Sequence, residues 1–255
     1  MLLEVCADSV ASAVAAERGG AHRIELCSDL LEGGITPGPG LISVIRSRLR
    51  IDIFVMIRPR GGDFLYSADE FEVMQHDMDE ARRLGANGFV FGMLNEHGSI
   101  DIERTRELVQ RAHPLPVTFH RAIDMTPDPL TALEEVISTG ARRVLSSGGA
   151  PDVMRGCELL RELHLAASNR IAIMAGGGLT LKTVKHVAEA SGITEFHASL
   201  RRPLPTPTDF HKQGVSMGEV RDREYVRYAT LEEDVRAMVE ALKQLSQEKL
   251  AKSMR

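Results

Sequence analysis

Eight short apolar runs, each followed by a stretch with the spacing of an amphipathic helix, alternate along almost the whole chain of 255 residues. The first run is Leu2–Cys6 and the last is Glu195–Ser199. Strands that alternate with helices form a parallel sheet, because each helix carries the chain back to the starting edge. Eight regular units match a (β/α)8 TIM-type barrel. A doubly wound sheet is the rival, but the absence of a compositional break favours the closed barrel.

The pattern predicts one barrel domain over residues 1–250, with 251–255 as a frayed C-terminal tail. An irregular insertion, Arg201–Tyr228, precedes the last helix, which we expect to begin near Leu231. Prolines at 203, 205 and 207 interrupt regular structure there. We interpret this insertion as an element for oligomer contact or as a lid.

Composition narrows the partners and the compartment. The net charge of −5 gives no reason to expect nucleic acid or an anionic membrane as a partner. No apolar run approaches the ~18 residues of a membrane helix, and no signal peptide is visible. Three cysteines in so long a chain do not make a disulfide framework. We therefore expect a cytoplasmic protein with reduced thiols.

Alternation along each predicted strand assigns side chains to the barrel interior. The face turned to the helices must be apolar, so the residues of opposite parity point inward. Strands four and six are ambiguous on this criterion. The inward set is too polar for a filled core, so we predict a functional site at the carboxyl end of the barrel, where barrel enzymes place theirs. The members of the inward set are Glu4, Cys6, Glu25, Cys27, Met56, Arg58, Thr118, His120, Glu195, His197 and Ser199.

Two matched phrases, Glu4-Val5-Cys6 and Glu25-Leu26-Cys27, end the first two strands. Two inward thiols suit a soft ion such as Cu(I), which accepts low coordination by thiolates. Zinc is disfavoured, because a structural zinc site needs four ligands. The alternative is that both cysteines are small buried hydrophobes, and alternating layers could hold their sulfurs too far apart. Met56 and Met174 are candidate thioether ligands or core filler.

Arg58 and Arg60 flank Pro59 ahead of Gly61-Gly62. Guanidinium groups beside glycine N–H groups suit a carboxylate or phosphate, so an anion clamp is one interpretation. The other is that Arg58 forms an ion pair with Glu25 or Glu4 across the barrel.

His120 and Asp124 follow the fifth strand. His120 is a candidate general acid or base near neutral pH, or a histidine satisfied by a neighbouring carboxylate. Asp124 either belongs to the site or caps the loop that follows it.

Gly176, Gly177 and Gly178 follow strand seven, and Ser199 ends strand eight, where many barrels bind phosphate. The glycines, followed by Thr180 and a helix, offer N–H groups and a helix dipole to an anion. A glycine run is also compatible with a tight turn.

The chain resembles the CutC family in several of these motifs over Met1 to about Tyr228. The resemblance implies a cytoplasmic barrel, an oligomer such as a dimer or tetramer, and a role in copper homeostasis. It implies Cys6 and Cys27 as Cu(I) ligands. One departure is Ala198, where many relatives carry cysteine. The matching segments are Arg23–Cys27, Ile57–Phe64, Val117–Ala122 with Asp124, Ser146–Gly148, Gly176–Gly178 and Phe196–His197 with Ser199.

Two functions remain open from specific residues, beside a weaker interpretation of the barrel as a scaffold whose surface binds a protein partner. The first is a copper homeostasis protein that binds or handles Cu(I). The alternative is a barrel enzyme of unassigned reaction on a small anionic substrate, such as a phosphorylated one. In the alternative, Glu25 and His120 move protons while Arg58 and His197 orient or polarise the substrate.

Overall fold

Eight parallel strands close into a barrel in the computed structural model, which describes residues 1–212, 214, 215, 217 and 224–253. The barrel strands are β1 Leu2–Ala7, β2 Arg23–Leu26, β3 Asp52–Met56, β4 Gly88–Phe91, β5 Val117–Phe119, β6 Arg143–Ser146, β7 Ala172–Gly176 and β8 Glu195–Ala198. The α-helices are α1 Val10–Arg18, α2 Pro39–Arg46, α3 Ala68–Arg83, α4 Ile102–Ala112, α5 Pro129–Thr139, α6 Cys157–Ala167, α7 Val184–Ser191 and α8 Glu232–Ser253, and Arg121–Met125 is a 3₁₀ helix. The predicted (β/α)8 architecture is confirmed.

The barrel closes where β1 pairs with both β2 and β8 in parallel register. That register places Glu4 beside Arg23 on one side and beside His197 on the other. The apolar residues of opposite parity, such as Leu3 and Val5, are fully buried in the core between strands and helices. Parity therefore divides the strand residues as the sequence predicts.

Local hydrogen bonds fix where several helices begin. Ser67 and Glu70 form a capping box at α3, in which the Ser67 hydroxyl accepts from the Glu70 N–H and the Glu70 carboxylate accepts from the Ser67 N–H. Asp101 caps α4 and Asp128 caps α5 through their carboxylates. These caps hold the outer helices so that the loops at the carboxyl end start from fixed points.

The sequence predicts an irregular segment before the last helix. The structure differs, because the two ends of this segment pair with each other. β9, Arg201–Pro205, and β10, Val226–Thr230, form a two-stranded antiparallel ribbon. Each strand of the ribbon has one edge without a partner strand. Pro203 and Pro205 lie two residues apart, so both point their N atoms, which carry no hydrogen, toward that unpaired edge. Of this segment, residues 213, 216 and 218–223 lie outside the described residues.

At the other end of the described chain, α8 continues through Ser253. The expected tail, 251–255, therefore begins within this helix, and its last two residues lie outside the described residues. None of the helices in the described part of the chain combines the length and apolar character needed to cross a bilayer.

Candidate functional site

A cavity of about 450 Å³ opens at the carboxyl end of the barrel. Most of the residues predicted to form the site reach it, from the ends of six strands and the loops behind them. Cys27, Arg60 and Gly176 are not among the lining residues. Those that line it are Cys6, Glu25, Arg58, His120, Asp124, Gly177, Gly178, His197 and Ser199.

The two thiols at the ends of β1 and β2 lie in contact. The Cys6 and Cys27 sulfurs are 3.5 Å apart, and Cys6 Sγ lies 3.2 Å from Glu25 Oε2. The concern that alternating layers separate the sulfurs is therefore wrong. Cys6 is in register with Glu25, and Cys27 directly follows β2, two residues beyond Glu25, so the tilt of the strands brings Cys6 between them.

This arrangement is a candidate metal centre. Two sulfurs on one ion, with metal–sulfur bonds of about 2.3 Å, lie at most about 4.6 Å apart. Cys6 Sγ, Cys27 Sγ and a Glu25 carboxylate oxygen all lie within 4.8 Å of one another. Hydrogen bonding to Cys27, burial and the charge of Glu25 all raise the pKa of Cys6, so this thiol is protonated without a metal.

The two methionines have different surroundings. Met56 packs in the same small buried cluster as Cys6 and Cys27, so its thioether is close to the pair. Met174 instead accepts a hydrogen bond from Arg23 Nη2 at 3.2 Å. Of the two candidate thioethers, only Met56 lies beside the thiols.

Beneath the thiols lies a buried network of charges. Glu4 is completely buried and accepts hydrogen bonds from Arg23 and, at 2.7 Å, from His197 Nδ1. Burial opposes the charge of Glu4, but Arg23 and His197 outweigh it and lower the pKa of Glu4 to about 2. Arg23 also pairs with Glu195 at 3.0 Å, and Glu195 pairs with Arg143. Sequence reasoning missed Arg23, although it shares the parity of Glu25.

His197 connects this network to the cavity. Its Nε2 lies 3.8 Å from Glu25 Oε2. Burial lowers the pKa of His197, but the carboxylates of Glu25 and Glu4 outweigh burial and raise it above the ordinary value. Burial raises the pKa of Glu25, whose Oε1 is buried without a hydrogen-bond partner among the described residues. His197 and Glu25 thus form a charged or proton-sharing pair at the floor of the cavity.

Arg58 forms neither of the predicted ion pairs with Glu25 or Glu4. Its Nη1 donates to the carbonyls of Glu32, at 2.6 Å, and Gly34, at 3.0 Å, and its Nη2 donates to the Gly62 carbonyl at 2.9 Å. Its guanidinium lies over the Phe64 ring. Among the described residues, only its Nε lacks an acceptor, so Arg58 chiefly holds the loops after β2 and β3 together and leaves a positive charge beside the cavity.

Arg60 does not join Arg58 in an anion clamp. Its guanidinium pairs with Glu70 at 2.5 Å and with Asp63 at 3.0 Å, and it lies over the Tyr66 ring. Glu70 is fixed in the capping box of α3, which holds Arg60 on the outer side of the loop. The predicted anion-binding role of Arg60 is therefore not supported by its position.

His120 is a hydrogen-bond donor rather than a group that titrates near neutral pH. Burial and the charge of Arg58 lower the pKa of His120 to about 3. Its Nδ1 accepts from the Ala122 N–H at 3.2 Å, which assigns the proton to Nε2. Nε2 is buried and has no partner among the described residues. Neither a catalytic proton exchange near pH 7 nor a carboxylate partner fits this environment.

Asp124 holds the loop after β6 instead of the loop that follows it in sequence. Its carboxylate accepts from the Ser146 and Ser147 hydroxyls and from the Ser147 and Gly149 N–H groups. It also pairs with Arg121 at 2.9 Å. Because so many donors already occupy the carboxylate, its position supports a structural role and not a catalytic one.

Arg121 is a lining residue to which sequence reasoning assigned no role. Its Nη2 donates to the Ser147 hydroxyl at 2.8 Å, and its side chain is 43% exposed toward the cavity. A Cβ added at Gly177 would lie 3.3 Å from Arg121 Cζ, so the guanidinium lies directly against the glycine backbone. The position of Arg121 beside His120 and Asp124 in the sequence was the available signal.

The three glycines after β7 have different roles. Gly176 ends β7, and a Cβ there would lie 2.6 Å from Leu145 Cδ1 and 2.9 Å from His197 Cβ, so its small size admits His197. Gly177 and Gly178 line the cavity with φ of +112° and +71°, conformations that favour glycine. Helix α7 begins only at Val184, so the expected dipole does not start directly behind the glycines.

Comparisons with known proteins agree with the motifs. The CutC family model matches residues 1–202. The chain is 52% identical over 217 residues to the copper homeostasis protein cutC homolog of Mus musculus, covering 85% of this chain and 80% of that one. It is 46% identical over 241 residues to a family protein CutC of Chromobacterium violaceum, covering 94% and 98%. A crystal structure of a CutC protein from Streptococcus agalactiae is similar with a TM-score of 0.75 at 31% identity, covering 78% and 98%.

Proposed function

The chain belongs to the CutC family, and on that premise we propose that it acts in copper homeostasis by holding Cu(I) between Cys6 and Cys27. The contact of the two buried thiols at 3.5 Å carries the proposal. A soft, closed-shell ion is satisfied by two thiolates, and Cu(I) follows that preference. The homologues named for copper homeostasis support copper over other soft ions.

The surroundings of the pair fit an ion that must be both taken up and released. Cys6 lines the cavity, whereas Cys27 is fully buried behind it, so the ion approaches through the barrel mouth. Metal binding displaces the thiol protons, and the Cys6 thiol already donates to Glu25. The raised pKa of Cys6 makes apparent affinity rise with pH, because protons compete with the ion for sulfur.

We propose the cytoplasm as the compartment, since cytosolic reductants keep such thiols reduced. We also propose a homo-oligomer, a dimer or tetramer, with the β9–β10 ribbon as a contact element. Light scattering coupled to size-exclusion chromatography measures the subunit count directly.

Anaerobic Cu(I) titration against a competing chelator tests the copper site. We expect one ion per chain in the parent protein. In Cys6→Ser/Cys27→Ser, affinity should fall by more than the roughly 10–100-fold that accompanies loss of an outer-shell partner. Cys157→Ser is the matched control, because this third buried cysteine lies in α6, away from the site. Equal affinity of the double variant and the parent protein would overturn the proposal.

A further inference from the structure

One wall of the cavity has hydrogen-bond donors without acceptors. Arg58 Nε and His120 Nε2 are both buried and unpartnered in the described part of the chain. Arg58 and His120 are 5% and 4% exposed, and both contact the Phe64 ring. Leaving a buried donor unpaired is costly, so native structures seldom do so without a reason. Copper held at the thiols uses neither of these groups.

The same cavity carries the positive charge of Arg58, with which none of the described carboxylates forms an ion pair. Arg58 donates to three backbone carbonyls and forms no ion pair within the described chain. A buried guanidinium without a counter-ion is unfavourable unless an anion from outside completes it. Its charge also lowers the pKa of His120, which keeps that imidazole neutral and its Nε2–H available.

Arg121 and the N–H of Gly178 lie beyond these donors. Asp124 and the Ser147 hydroxyl hold two guanidinium nitrogens of Arg121, and Nη1 has no partner among the described residues. Among the described residues, no acceptor takes the N–H of Gly178, whereas the Gly177 N–H faces the His197 carbonyl of β8. A free backbone N–H in a turn and a guanidinium fork both suit the oxygens of a phosphate.

We propose that this side of the cavity binds a small organic phosphate monoester, separately from copper. The phosphate lies against Arg121, Gly177 and Gly178, and an oxygen of the organic part accepts from His120 Nε2–H. A dianion is favoured over a carboxylate, because donors from several loops converge and Arg58 and Arg121 both line the space.

Isothermal titration with glycerol 3-phosphate, glycerate and glycerol tests the phosphate class. We expect saturable binding of glycerol 3-phosphate, at least about tenfold weaker binding of glycerate, and none of glycerol. Inorganic phosphate should compete with glycerol 3-phosphate. Equal binding of glycerate, or no saturable binding of either phosphate compound in the millimolar range, would overturn the proposal.

Variants locate the site and separate it from the copper proposal. Arg121→Met should weaken glycerol 3-phosphate binding about tenfold or more, and Arg121→Lys should recover part of it by restoring the charge. Arg60→Met is the matched control, an arginine near the same end of the barrel but outside the cavity. Cys6→Ser/Cys27→Ser should keep phosphate binding, while Arg121→Met should keep Cu(I) binding. Unchanged phosphate affinity in Arg121→Met, with the fold intact by circular dichroism, would refute the assignment.

Discussion

The buried neutral imidazole of His120 makes folding stability depend on pH. Its pKa falls from an ordinary 6.5 to about 3 in the folded protein. Below pH 6.5 the unfolded chain therefore binds a proton that the folded chain refuses, so the free energy of unfolding falls as the pH falls toward 3. With 1.36 kcal/mol for each pKa unit, His120 should remove about 2.5 kcal/mol between pH 7 and about pH 4.5.

Urea unfolding at the two pH values, on the parent protein and on His120→Asn, measures this difference. Asparagine keeps an oxygen that can accept from the Ala122 N–H, as a capping residue does, but it does not titrate. The cavity left by the smaller side chain lowers stability equally at both pH values. Carboxylates and His197 titrate in both proteins, so their effects cancel in the comparison. We expect the parent protein to lose about 2.5 kcal/mol more than the variant over this interval.

An exposed histidine supplies the control. His76 has a 76% exposed side chain on α3, so His76→Asn removes an imidazole without touching the cavity, and this variant should follow the parent protein. If the parent protein and His120→Asn lose the same free energy, His120 is protonated at pH 4.5 in the folded state as well. The lowered pKa assigned to the buried imidazole would then be wrong.

Two further substitutions test the barrel interior. Glu4→Gln should cost about 3–5 kcal/mol at pH 7 in urea unfolding, because it leaves Arg23 buried without its main counter-charge. Since the pKa of Glu4 is lowered to about 2, this cost should shrink as the pH falls from 4.5 toward 2, and a constant cost would contradict the ion pair. Gly88→Ala should cost about 1–3 kcal/mol, because a Cβ there would lie 2.7 Å from the Phe54 ring. The double variant Gly88→Ala/Phe54→Leu should recover part of that loss, as measured by thermal unfolding. If the free-energy changes of the two single substitutions simply add in the double variant, the contact is excluded.

Strand parity predicts the face of a side chain but not its height in the barrel. Glu4 and Glu25 both point inward as predicted, yet Glu4 lies in the ion network with Arg23, while Glu25 reaches the cavity. Height depends on the stagger between neighbouring strands, which local sequence does not encode. For that reason the sequence suggests an ion pair between Arg58 and Glu4 or Glu25, whereas in the structure Arg23 pairs with Glu4.

The loops were predicted less well than the strands, because their polar groups are satisfied by the backbone. Arg58 and Arg60 are two residues apart in one motif, but Arg58 binds loop carbonyls inside and Arg60 binds Glu70 outside. Asp124 likewise binds backbone N–H groups after β6, a strand more than fifteen residues further along the chain. Backbone partners leave no residue pattern, so only the folded loops reveal them.

The contact of the two thiols shows how one rule can support opposite expectations. Alternating layers were the reason to doubt that the sulfurs meet, since adjacent strands place their inward residues at different heights. The stagger that strand tilt produces, however, sets an inward side chain between two inward residues of the next strand. Cys6 therefore touches both Glu25, at 3.2 Å, and Cys27, at 3.5 Å. Because of the stagger, Glu25 and Cys27 on one strand form a three-residue cluster with Cys6 on the next. If the two strands were level, Cys6 would face Glu25 alone.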